Sequence, residues 1–194
     1  MPDRFPEFRL GTVPATSFTA TLTERRGDAV ERIPVPQRLV DWLAEYGLVV
    51  ASCTPAQLER ARKLREAIHT ALTAAAVGDV LPSSAVRVIN DFSTHGRASA
   101  FLTAGNEREW RLGPDSRVED ALSVIAADAI AILAGERSGR LALCASPTCR
   151  AAFFDSSQSR TRKWCEMNTC GNRQKKARFL AGKAAVRGPE HTGA

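Results

Sequence analysis

Cys144 and Cys149, then Cys165 and Cys170, form two pairs with four residues between the members of each. Tetrahedral Zn²⁺ takes four thiolate or imidazole ligands, and two short loops that each offer two sulfurs are the usual way for a chain to supply them. With all four positions filled by protein, no coordination site is left for water, so the expected metal is one structural Zn²⁺. Pro147 fixes a φ angle between the first two ligands, and Gly171 removes side-chain bulk where backbone passes close to the second pair. The fifth cysteine, Cys53, stands alone and reads as a small buried apolar residue.

Cations gather around these sulfurs. Residues 1–143 carry 17 Lys and Arg against 18 Asp and Glu, net −1, whereas residues 144–194 carry 10 against 3, net +7. A near-neutral body joined to a basic module points to a polyanion met by the module alone, because Lys and Arg on nucleic acid release condensed counterions. Arg160, Arg162 and Lys163 fall in a Ser-rich loop between the pairs, and Asn172, Arg173, Lys175, Lys176 and Arg178 fall on a helix after Cys170. On a helical wheel Ala177, Leu180, Ala181 and Ala184 share one face, which leaves Arg173 and Lys176 on another. Those cations suit phosphates, and Asn172 and Arg173 have the chemistry to reach base edges. An exposed basic helix, with Asn172 capping it, explains the same letters. Phe153, Phe154 and Trp164 are expected to cover the metal rather than to stack on bases.

The elements that must hold this module are mostly helical. The spacing predicts a helix over QRLVDWLAEYG ending at Gly47, a long helix from the Thr54-Pro55 cap to Gly78, and a shorter one from Pro82-Ser83-Ser84 to about Gly96. SAFLT and REWRL read as a hairpin turning at Gly105 and Asn106. A helix capped by Asp115 or Ser116 and stopping at Gly135 is apolar almost all round, so it belongs at the centre of the core. RLALC is a short strand that delivers Cys144, and RLGTVPATSFTATLT, rich in Thr, Val and Phe, reads as one or two strands. The fold class is therefore mainly α with a small β element, α+β: a helical body over 1–140, a treble-clef-like Cys₄ finger over 141–187 and a flexible tail over 188–194.

Several function classes lose support. His69, His95 and His191 are scattered, and no phosphate loop, dinucleotide fingerprint or zinc-protease motif is present, so no enzyme is expected. No apolar run approaches the roughly 20 residues that span a bilayer, and the first residues lack the pattern of a secretory signal, so the expected compartment is the cytoplasm, without membrane.

The stretch RTRKWCEMNTCGNRQKKARF, with Cys170-Gly171-Asn172-Arg173 and a preceding FFDSS, closely resembles the signature of the CGNR zinc-finger family. Upstream, the PQRLVDWLAEYGLV and LREAI segments are similar to the ABATE domain that precedes this finger. The resemblance implies a stress-induced transcription regulator that binds DNA through the finger. One departure stands out: where the family pattern has Asp-Phe-x-Asn-Thr, this chain has Ser17-Phe18-Thr19-Ala20-Thr21. The body is then available to sense a small-molecule effector or to form a homodimer, since one finger offers few contacts. An RNA-binding zinc module and a protein-interaction finger that meets no nucleic acid are the alternatives the same residues leave open.

Overall fold

The computed structural model describes residues 5–186. The expected tail at 188–194, with His191, lies outside them. Among the described residues, five of the six α-helices build the body: α1 (Pro14–Thr19), α2 (Pro36–Ala44), α3 (Pro55–Val77), α4 (Ser83–Thr94) and α5 (Val118–Leu133). Three antiparallel pairs accompany them, β1 (Leu22–Thr23) with β2 (Val30–Glu31), β3 (Ser99–Leu102) with β4 (Arg108–Arg111), and β5 (Arg140–Leu143) with β6 (Ala152–Asp155). A single π-helical turn, Met167–Gly171, leads into α6 (Asn172–Val186). The chain is mainly helical with small sheets.

Helix α5 is the centre, as its all-round apolarity predicts, with Val118, Leu122 and Ile125 buried on it and α1, α3 and α4 packed around it. Its two buried carboxylates serve the backbone. Asp120 accepts from the N–H groups of Arg97 and Arg117, both at 2.8 Å, and so caps its own helix in place of the expected Asp115 or Ser116. Asp128 accepts from the Ala15 N–H at 2.9 Å and pairs with Arg137.

Helix α3 follows the sequence signals at both ends. The Thr54 hydroxyl accepts from the Gln57 N–H at 3.2 Å while the Gln57 side chain accepts from the Thr54 N–H at 2.8 Å, and Gly78 closes the helix at φ +80°. Both Leu64 and Arg65 are buried on it. The Arg65 guanidinium reaches Glu31 on β2 at 2.8 Å and Glu66 at 2.9 Å, which clips the β1–β2 ribbon to the helix. Helix α4 starts at Ser83 without a side-chain cap, and the β3–β4 turn places Asn106 at φ +59°.

The strand reading of residues 9–23 is corrected. Pro14 opens a short helix there, Asp128 satisfies one of its first N–H groups, and Phe18 is driven fully into the core beside Trp42, with ring centroids 5.1 Å apart. Burial of Ala15 and Phe18 outweighs the strand preference of Thr and Val, and only Leu22–Thr23 remains extended. Thr21 supports the bend, donating to the Phe18 carbonyl at 2.8 Å and accepting from Arg65 at 3.1 Å.

Candidate metal centre and its basic surface

The β5–β6 hairpin divides its side chains between two cores. Because strand residues alternate in direction, Leu141, Leu143, Ala152 and Phe154 pack on the body, whereas Ala142 and Phe153 face the second cluster with Cys144, Cys149 and Cys170. Cys144 and Cys149 sit in the loop joining these strands. Cys165 precedes the π turn, which carries Cys170 round to face it. A hairpin loop and a helix start that offer two sulfurs each form the expected treble-clef-like arrangement.

All four sulfurs lie within 4.8 Å of one another. A zinc–sulfur bond of about 2.3 Å gives a tetrahedron with edges of about 3.8 Å, and the Cys149–Cys165 and Cys165–Cys170 sulfurs are 3.6 and 3.7 Å apart. The donor set therefore fits one tetrahedral, structural Zn²⁺. When bound, the ion supplies charge and geometry to the fold. Without a cation the four thiols cannot all ionise: hydrogen bonds among them, Cys149 foremost, pull Cys144 down to about 6, and Cys170 is lowered further, chiefly by Cys144, while Cys165 is pushed up. The backbone N–H groups of Cys165 and Ala151 also favour the charged forms of Cys144 and Cys149 respectively. Gly171 has the tight surroundings its position implies, since a Cβ there would lie 2.3 Å from the Met167 sulfur.

The loop between the pairs is organised by Asp155, fully buried at the end of β6. Its carboxylate accepts from the Ser157 hydroxyl at 2.6 Å, the Ser157 N–H at 3.1 Å and the Arg162 N–H at 2.9 Å. These bonds hold the carboxylate below its ordinary range, the Ser157 hydroxyl first. The FFDSS segment is thus a structural brace. Phe153 is buried and Trp164 half-buried against the sulfurs, as expected, whereas Phe154, on the other face of β6, packs on the body instead of covering the metal.

The cations separate into different roles. Arg160 donates to the Ser138 hydroxyl, and Arg162 donates to the carbonyls of Trp164 and Cys165 while stacking over Phe153 at 4.9 Å. Together with Lys163 they line an open cleft that also includes Arg140 and Arg150, beside the end of α3. Five cations and no carboxylate are among its lining residues, with the buried Asp155 carboxylate 3.9 Å behind Arg140. Sequence reasoning missed Arg140 and Arg150 because the hairpin, rather than proximity in the chain, brings them there. Arg140 also fixes the rim, donating to the carbonyls of Arg160 and Arg162 at 2.7 and 2.9 Å.

Helix α6 departs from the expected wheel. Ala177, Leu180 and Ala181 are exposed rather than packed, and Phe179 is 62% exposed; the side chain of Ala184 lies outside the described residues. Arg173 does not share a row with Lys176. It turns back to Glu24 in the β1–β2 turn at 2.6 Å, and Glu24 also accepts from the Thr148 hydroxyl, between the first two cysteines, at 2.6 Å. The Arg26 N–H completes this junction by donating to the Thr148 carbonyl at 3.1 Å. Glu24 takes a left-handed φ of +53° to do this, a backbone state that nothing in its local sequence announces. Asn172 donates to the Asn168 carbonyl at 3.2 Å and continues the π turn, while Lys175, Lys176 and Arg178 extend into solvent.

Ser17 and Ala20, the positions that depart from the family pattern, both border a cavity between α1 and the finger. Among the described residues, no helix is long and apolar enough to cross a membrane. No curated protein matches the chain. Two family models do: one described as "Putative stress-induced transcription regulator" covers residues 12–136, and one described as "CGNR zinc finger" covers residues 140–182. The chain belongs to the ABATE family and carries a CGNR zinc finger behind that domain.

Proposed function

We propose that this protein is a cytoplasmic, non-catalytic transcription regulator that binds duplex DNA through its finger. The observation that carries the reading is the cleft lined by Arg140, Arg150, Arg160, Arg162 and Lys163, whose one nearby carboxylate, Asp155, is buried behind Arg140 at 3.9 Å. Such a surface follows a phosphate backbone; the Asp155 and Arg140 bonds hold the 156–162 loop, and zinc orders the hairpin loop that carries Arg150, so together they fix the spacing of its charges. Lys175, Lys176 and Arg178 on α6 add a second basic face, with Asn172 the remaining candidate for a base edge once Arg173 is committed to Glu24. Two chains acting together would supply the contact area that one finger lacks.

Fluorescence anisotropy with a random-sequence duplex, run against salt, tests the proposal. Wild type should bind with an affinity that falls steeply as salt rises. The Arg150→Ala/Lys163→Ala double variant should flatten the salt dependence by about 0.9 for each phosphate it no longer neutralises. A flat anisotropy signal at low salt, or a preference for structured RNA at matched salt, would overturn the DNA reading, the latter in favour of an RNA module. Selection from a random duplex pool then asks whether one sequence motif is enriched.

A further inference from the structure

We propose that the cavity between α1 and the finger is a binding site for a small carboxylate with an apolar body, a site that adjoins the nucleic-acid surface at Arg162 but is otherwise separate from it. The cavity has a volume of about 430 Å³, in the range of small-molecule sites, and neither domain forms it alone. Residues 9–13 and α1 make one wall, while β6 and the loop from Arg162 to Met167 make the other.

Its chemistry favours an anion. Arg9 and Arg162 line it with one carboxylate, Glu166, which pairs with Arg9, while the Arg162 guanidinium is held by the Trp164 and Cys165 carbonyls; the lining is left with one net positive charge. Arg9 forms an ion pair with Glu166, Nε to carboxylate oxygen at 3.2 Å, and its Nη1 is buried without a hydrogen-bond partner. An unsatisfied buried guanidinium N–H is costly, and a carboxylate in the cavity is the acceptor that answers it best once the Arg9 side chain turns its Nη1 towards it. Hydroxyls of Ser17 and Ser156 lie on the same lining and can serve the second oxygen. Val13, Phe153 and Met167 supply apolar and aromatic surface, which sets the remainder of the ligand as a small hydrocarbon or ring rather than a sugar phosphate.

The site also has a route to the finger. Cys165 and Met167 belong to its wall, and Arg162 borders both this cavity and the five-cation cleft. A carboxylate seated here touches the loop that presents the second pair of metal ligands, so its binding and the order of that loop are linked.

The test uses the zinc-loaded full chain, isotope-labelled for amide NMR, titrated with acetate, benzoate and octanoate at neutral pH. Benzamide serves as the uncharged match to benzoate. Benzoate or octanoate should shift amides of residues 9–20 and 151–167 in a saturable way, and benzamide should not. Arg9→Ala should weaken binding at least tenfold. Because that change also removes the partner of Glu166, Ala20→Phe provides a second variant that fills the cavity and leaves Arg9 in place; it too should abolish the shifts. Arg150→Ala should leave them unchanged. The proposal is overturned if none of the three carboxylates shifts these amides at millimolar concentration, if benzamide binds as well as benzoate, or if the response is lost in Arg150→Ala and kept in Arg9→Ala.

Discussion

The body and the finger reach their folded states by different means within one chain. The body encloses a continuous apolar cluster running from Val13 through Trp42, Leu64 and Ile125, in which burial of hydrocarbon supplies the driving force. The finger's cluster consists of Ala142, Cys144, Cys149, Ala151, Phe153 and Cys170, with Trp164 and Cys165 at its edge. Half of its buried members are metal ligands. So small a cluster offers too little apolar surface to order its loops without the ion. The β5–β6 hairpin belongs to both, with one face in each core, and it transmits the order of the body to the first pair of sulfurs. The basic surface is conditional in part as a result: Asp155 and Arg140 hold the 156–162 loop, while the segment from Cys165 into α6 is tied to the hairpin loop through the cross-linked sulfurs.

Removal of zinc should therefore have the largest effect of any single perturbation, and an uneven one. Apparent binding free energies of structural zinc are about 10–16 kcal/mol in isolated fingers, so chelation or Cys170→Ser should release the second metal loop and the start of α6 altogether. Amide hydrogen exchange is the measurement. Protection should vanish at Ala145, Cys149 and Gly171, whose N–H groups bond within the finger, and persist along α3 and α5. Simultaneous loss of protection in α3 and α5 would abolish the distinction, by showing that the hairpin makes one cooperative unit of the two regions.

The two regions also differ in how much of them can be read from the residues alone. In the body, helix ends announce themselves through local chemistry: Thr54 and Gln57 form a capping box, and Gly47, Gly78 and Gly135 take the left-handed conformation that stops a helix. What fails there is the segment around Pro14, where Thr and Val favour a strand until the buried positions of Ala15 and Phe18 and the distant Asp128 carboxylate impose a helix. In the finger, the four sulfurs are legible because metal geometry restricts spacing, and Asp155 is visible as the acidic residue of FFDSS although its bracing role is not. The cations are legible as a count but not as a row. Arg173 is satisfied by Glu24, 149 residues away, and no helical wheel contains that partner. Local signals encode caps and ligand spacing; the destination of a long charged side chain depends on tertiary placement.

A second test separates the regions through pH, because the body contains a group that acid should turn against it. His69 on α3 has its Nδ1 buried without a partner, and burial first, then the Arg25 charge, lowers its pKa from 6.5 to about 4. The unfolded chain therefore binds a proton below pH 6.5 that the folded chain refuses until about pH 4. Stability from the neutral imidazole is complete above the unfolded value and declines as pH falls between the two, by up to about 1.4 kcal/mol per pH unit for one proton. Urea melts of the zinc-loaded protein from neutral pH down to 5 should show a steeper decline for wild type than for His69→Gln. Acid also weakens thiolate–zinc bonds, but that effect is common to both proteins, so the difference isolates the body. Parallel declines in the two proteins would show that the imidazole is not held neutral.

The smallest expected effect concerns the seam between the regions. Glu24 joins Thr148 of the first metal loop to Arg173 at the start of α6, and the Arg173 side chain is 48% exposed, so the pair is partly screened. A double-mutant cycle with Glu24→Gln and Arg173→Gln should give a coupling of about 1 kcal/mol or less. Exchange of the Arg26 amide reads it locally, because that N–H donates to the Thr148 carbonyl across the seam. Opening there should increase several-fold in either single variant while exchange in α5 is unchanged. If the finger binds duplex DNA as proposed, the same pair decides what Arg173 does there. As an anchor, its loss should lower duplex affinity less than Arg150→Ala/Lys163→Ala does, and Glu24→Gln should not improve binding. If Glu24→Gln instead raises affinity, Arg173 is a phosphate or base contact that the body restrains, and the seam would be a competitor of DNA rather than a fastening of the finger.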